Sequence, residues 1–136
     1  MATYNKFNQT VEDMANGVYN CATDQFTVAL TVAAPVATNT VLANLTEIAY
    51  TNLSGRNLTT ASSGQTSGTF TQLFSDLVLT ASGGPVAAFR YITIYDNTPT
   101  SPADPLLCFY DFGSSLVLAD GETLTIDFTT STFTLA

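Results

Sequence analysis

The sequence predicts a mainly β protein: a single-domain, jelly-roll-like β-sandwich of about nine short strands with one N-terminal α-helix. Three observations carry this. From residue 26 onward apolar residues repeatedly alternate with Thr, Ser or Asn, the period of a strand with one face in a core. Clusters of Gly, Pro, Asn and Asp interrupt that alternation at roughly ten-residue spacing. A length of 136 residues favours one domain around one core. Residues 1–20 are therefore read as a helical segment and residues 21–136 as the β-sandwich domain.

At the N-terminus, Phe7, Val11, Met14 and Val18 recur at i, i+4, i+7 and i+11, which places them on one helical face. Asn5 or Thr3 is the expected cap and Asn16-Gly17 the expected stop, giving a helix from residue 4 to 17. Glu12 and Asp13 fall on its polar side. The apolar stripe must cover the end of the domain's own sheet or a neighbouring subunit.

The strands follow. In "QFTVALTV", Phe26, Val28, Leu30 and Val32 face one way and Thr27, Ala29 and Thr31 the other, a half-buried strand. Pro35 breaks it, since proline has no N–H for a ladder. "LANLTEIAY" (42–50) reads as the next strand, and the polar stretch after it is expected to hold one short strand around Leu58. "TFTQLF" and "LVLTA" come next, stopped by "SGGP". "AAFRYITIYD" (87–96) is aromatic and β-branched, the strongest strand by composition. "NTPTSPADP" (97–105) has three prolines and no period, hence an exposed loop. After "LLCFYDF", the run "SLVLADGETLTIDF" reads as a hairpin. Leu116 and Leu118 lead into Asp120-Gly121, and Leu124, Ile126 and Phe128 lead out. Asp-Gly suits a type I′ turn, which needs φ > 0 at both centres. "STFTLA" is the last strand.

Composition excludes several functions. Only Lys6, Arg56 and Arg90 are basic, and the net charge is -8. Binding to nucleic acid or to an anionic membrane surface needs clustered cations, so neither partner is expected. No apolar run is long enough to cross a membrane as a helix, and "MATYNKFNQT" lacks the apolar core of a signal peptide. Asn8, Asn44, Asn52 and Asn57 lie in N-x-[ST] triplets, which a chain rich in Thr and Asn produces by chance. Charged residues make up 10% of the chain, against about 25% in a usual soluble domain. A surface built from Thr, Ser, Asn and Gly suits a protein packed against neighbours.

Catalytic and metal chemistry find little to work with. The chain has no histidine, which removes a Ser-His-Asp triad, and a Ser-Lys pair would have to use Lys6. Asp96 reads as a strand-ending residue that caps a turn, and Asp111 as a partner of Arg90 or of loop amides. Asp120, Glu122 and Asp127 do not follow the spacing of an EF-hand. No catalytic residue, metal or cofactor is expected. Cys21 and Cys108 read as buried free thiols, with a bridge between them as the alternative. Arg56 and Arg90 each await a carboxylate. A pair formed across a subunit boundary would make them interface residues, together with Phe7, Val11, Met14 and Val18.

Four stretches carry a resemblance: "MATYNKFNQTVEDMANGVYN", "FTVALTVAAPVATNTVLANLTEIA", "ASGGPVAAFRYITIYDNT" and "LLCFYDFGSSLVLADGETLTIDF". Together they resemble small structural proteins of tailed-bacteriophage virions. The resemblance implies a non-enzymatic virion part, made in the host cytoplasm, and transfers no functional residues. Within that family, compactness and the Thr/Ser/Asn-rich surface favour a capsid decoration (cement) protein, a homotrimer or other homo-oligomer bound to the major capsid protein. The alternative the resemblance implies is a tail tube or minor tail protein, bound to tail proteins, with 97–105 as an inserted loop.

Overall fold

A computed structural model describes residues 3–129 and 131–136. The chain is mainly β, a sandwich-like single domain with nine strands and one α-helix among these residues. The order is β1 (Thr3–Lys6), α1 (Gln9–Ala15), β2 (Phe26–Thr31), β3 (Thr60–Thr66), β4 (Thr69–Phe74), β5 (Leu77–Thr80), β6 (Phe89–Asp96), β7 (Leu106–Leu116), β8 (Thr123–Ile126) and β9 (Phe133–Leu135). One sheet has the order β1-β7-β6-β2 and is antiparallel throughout. The other layer is split into β3-β4-β9 and β5-β8.

The main core lies between these layers. Phe26, Val28 and Leu30 of β2, Ile92 and Ile94 of β6 and Cys108 of β7 meet Phe74, Leu79, Leu118 and Phe128 from the other side. Phe74 is the hub, with its ring 5.2 Å from Phe26 and 5.7 Å from Phe128. A smaller cluster forms on the far face of the first sheet from Phe7, Ala29, Tyr95 and Leu106, under Leu42 and Leu45. β2 is therefore buried on both faces, not half-buried as its alternation suggests. Its Thr27 and Thr31 find partners in Asn57 and the carbonyl of Ala33, which makes their burial tolerable.

Several local expectations are corrected. Residues 3–6 are a strand, not the start of a helix: Tyr4 pairs with Tyr110 and Lys6 with Cys108. Pairing with β7 outweighs the local helical period, since a short helix gains little without tertiary support. Helix α1 is thus two turns long, with Asn8 rather than Asn5 or Thr3 at its N-cap position. Its stop is where Asn16-Gly17 placed it. The Val18 amide reaches the Asp13 carbonyl and the Gly17 amide the Met14 carbonyl, the two bonds of a Schellman ending. Met1 and Ala2 of the 1–20 segment lie outside the described residues.

The expected strand at 42–50 is a 3-10 turn at Leu42–Asn44 followed by irregular chain. Asn44 Oδ1 accepts from the Thr40 and Val41 amides, and this local bonding competes with a ladder. Residues 47–58 then run along the outer edge of β2. Ile48 N–H reaches the Leu30 carbonyl, Val28 N–H the Arg56 carbonyl, and Leu58 N–H the Phe26 carbonyl. This strap covers an edge that would otherwise be open to association. The strand sought near Leu58 begins two residues later, as β3.

The type I′ hairpin lies elsewhere than expected. β8 pairs with β5 and not with the chain before Asp120. At Asp120-Gly121 only Gly121 has positive φ, 85°, and Glu122 N–H bonds the Ala119 carbonyl, the pattern of a type II turn. Both turn residues have positive φ at Ser67-Gly68, 51° and 84°, between the paired Thr66 and Thr69. That is the type I′ geometry. The 97–105 loop is irregular as expected, and its Ser101-Pro102 bond is cis.

Candidate functional site: a groove along the first strand

The sequence-derived interface residues are dispersed. Phe7 is fully buried, in contact with Phe109 at 5.1 Å between rings, and lies outside the helix. Val11 is exposed, Met14 packs partly on the main core, and Val18 is half-buried. The helix face turned inward is polar. Thr10 Oγ donates 2.7 Å to the Leu107 carbonyl, and Asp13 accepts 3.1 Å from Gln9.

Both arginines are engaged within the chain. Arg56 donates to the Val28 carbonyl, stacks 3.6 Å over the Tyr50 ring, and lies 3.7 Å from Glu47. Tyr50 in turn donates to Glu47 and accepts from the Leu30 amide. Arg56 is thus the pin that holds the 47–58 strap to β2. Arg90 makes a forked pair with Asp111, 2.8 and 3.0 Å. That pair holds the Asp111 carboxyl below the usual range, helped by the Gly113 amide. Both partners foreseen for Asp111, the arginine and a loop amide, are present. Asp96 likewise accepts from the Thr98 amide, the turn-capping role read from sequence.

What the molecule leaves open is apolar. A groove of about 560 Å³ runs between the edge of the first sheet and residues 124–129, 131 and 132. Tyr4, Ile92 and Tyr110 form its floor, aligned by the β1-β7 and β6-β7 registers. Phe112, Leu124 and Ile126 form its sides, and Asp127 brings a charge. Around Tyr4 it continues into a second hollow of about 330 Å³, bounded by Val11 and Met14 of α1 and by Phe133 and Leu135 of β9. Val11 and Leu135 remain 55% and 54% exposed. Rings edge-on at 5.6 Å, Tyr4 and Tyr110, order the floor. Burial keeps both phenols above their ordinary range, so they face the groove uncharged.

Sequence reasoning found Val11 and Met14 but missed Tyr4, Phe112, Phe133 and Leu135. The missing signal was the strand at 3–6, whose pairing brings Tyr4 beside Tyr110. The polar groups along the groove are hydroxyls and the exposed Asp127 carboxylate, and Lys6 lines the second hollow. Among the described residues no three or more Cys, Asp or Glu side chains gather to hold a metal ion, and no helix is long and apolar enough to cross a membrane. Both cysteines are free thiols: Cys108 is buried and Cys21 partly so.

Comparison of the chain with protein-family models, curated proteins and solved structures finds no match.

Proposed function

We propose that the chain is a non-enzymatic structural protein that works by docking on neighbouring subunits, and specifically a capsid decoration (cement) protein of a tailed-bacteriophage head. The observation that carries the docking reading is the apolar groove from Phe112 past Tyr4 to Val11 and Leu135. Apolar surface beside uncharged aromatic rings gains free energy when another surface covers it. A site lined mainly by aromatic and aliphatic side chains has adhesive chemistry. The specific setting, a homo-oligomer on the major capsid protein, rests on the resemblance to virion proteins together with the compact chain and its Thr/Ser/Asn-rich surface.

The buried carboxyl of Asp96 does not support an enzymatic reading. Asp96 has no exposed surface, so no substrate can reach it. The tail-protein reading draws on one feature, the largely exposed 97–105 loop between β6 and β7, which would have to insert between subunits. Cryo-EM of virions carrying this protein discriminates the two. Density on the head shell is the expected result; density confined to the tail sinks the decoration role.

A further inference from the structure

Away from the groove, one corner of the sandwich holds acidic groups with no basic partner. Asp96 ends β6 and is fully buried. Its Oδ1 accepts from the Thr98 amide, 3.0 Å. Its Oδ2 is buried without a donor. The side chain that approaches it is another carboxyl, Asp24, on the turn between α1 and β2. Asp24 is itself fixed, since its Oδ2 accepts 2.7 Å from the Asn20 amide and its own amide reaches the Asn20 carbonyl. Two carboxylates have no hydrogen to offer one another; with a single proton between them they form a strong O–H···O bond.

We propose that Asp24 and Asp96 are a proton-sharing pair that clamps the 20–25 turn to the end of β6, so that loss of the shared proton loosens this corner of the sandwich.

The surroundings favour the shared proton. Asp104, in the loop before β7, adds negative potential to Asp96. Tyr19 and Cys21, on the same turn as Asp24, feel the Asp96 charge and are held neutral, chiefly by burial. Asp13 of α1 also acts electrostatically on Tyr19 and has its own buried Oδ2 without a donor. No lysine or arginine acts on Asp96. Burial first, then the hydrogen bond with Asp24, pushes the Asp96 carboxyl up to about 7. The clamp has structural reach. The Asn97 amide bonds the Gln25 carbonyl, Thr98 Oγ accepts from the Gln25 amide, and Gln72 holds the Cys21 carbonyl at 3.2 Å.

The direction of the pH effect follows from linkage. An ordinary aspartate releases its proton near pH 4. Between about pH 4 and 7 the folded chain therefore binds a proton that the unfolded chain does not, and stability falls as pH rises through that window. Above the folded value both states are ionised and the slope vanishes.

The test uses the intact chain. A carboxyl-carbon NMR titration should give Asp96 a midpoint near neutrality; a midpoint near pH 4 overturns the proposal. The melting temperature should fall by about 5 °C or more from pH 5 to pH 7.5, while Asp96→Asn, which keeps a donor for Asp24, should flatten that slope. An unchanged slope in a folded Asp96→Asn protein also overturns it. If Asp96→Asn fails to fold, Asp24→Asn places a donor opposite Asp96 and serves the same comparison. Finally, stabilisation by added calcium at pH 7.5 that vanishes in Asp96→Asn would replace the shared proton with a cation.

Discussion

Phe74 shows how single residues carry this fold. It is 1% exposed and touches aromatic rings from β2 and from the chain after β8. Truncation leaves a cavity that neighbours from two layers cannot both fill. Phe74→Ala should cost about 3–5 kcal/mol, read from denaturant midpoints. Asp120 sits at the other extreme. Its Oδ1 accepts from the Gly83 amide at 3.0 Å on an exposed surface, and an amide oxygen can do the same. Asp120→Asn should stay within about 0.5 kcal/mol of the parent, whereas Asp120→Ala loses the bond and about 1 kcal/mol. The measurement is the same denaturation curve.

At the scale of elements, the β3-β4 hairpin offers the cleanest test. No atom would meet a Cβ at Gly68, so a substitution there is governed by its φ of 84° alone. Gly68→Ala should destabilise by about 1 kcal/mol, and Ser67→Asn should raise the melting temperature slightly, because Asn tolerates positive φ. The N-terminal element makes a second prediction. β1 pairs with β7, Phe7 fills the second cluster, and Thr10 bonds β7 carbonyls. Deleting residues 1–18 should therefore abolish cooperative unfolding of the remainder, as seen by near-UV circular dichroism. A folded β-body after that deletion would show that β1 and α1 are peripheral.

These elements also mark what could be read from the sequence. β2, β4, β5 and β6 were legible because their alternation coincides with their burial or their composition is strongly β-forming. β1 was not, because four residues show no period of their own beside a helical stripe that begins at Phe7. The 42–50 segment misled because its apolar spacing fits a strand, while the Asn44 side chain settles it into a turn. The acidic hairpin misled because Asp-Gly serves type II turns as well as type I′, and strand partnership is non-local. Arg90-Asp111 was legible as a charge expectation in a chain with three cations. The groove was not, since its walls come from residues 4, 112, 124–128 and 133–135, joined only by pairing.

For the molecule as a whole, the two layers differ in how they meet solvent. The first sheet is buried on both faces in its centre and strapped along β2, while its β1 side opens on the groove. If association uses that side, charges placed there should separate subunits without unfolding them. Val11→Glu with Leu135→Glu should reduce oligomer or shell binding at least tenfold by light scattering and sedimentation. The melting temperature should change little, because both residues are more than half exposed. Binding that survives this double change would place the contact elsewhere.

The β3-β4 hairpin has one more consequence. Most of β3 is exposed, and the Ser67-Gly68 tip has open space around it. Chain added at such a tip disturbs neither a core contact nor the far ends of the two strands. A short foreign peptide spliced between Ser67 and Gly68 should be carried outward on a two-stranded stalk. If the protein coats a particle, every copy would then present that peptide to an antibody, making the hairpin a mounting point for dense epitope display.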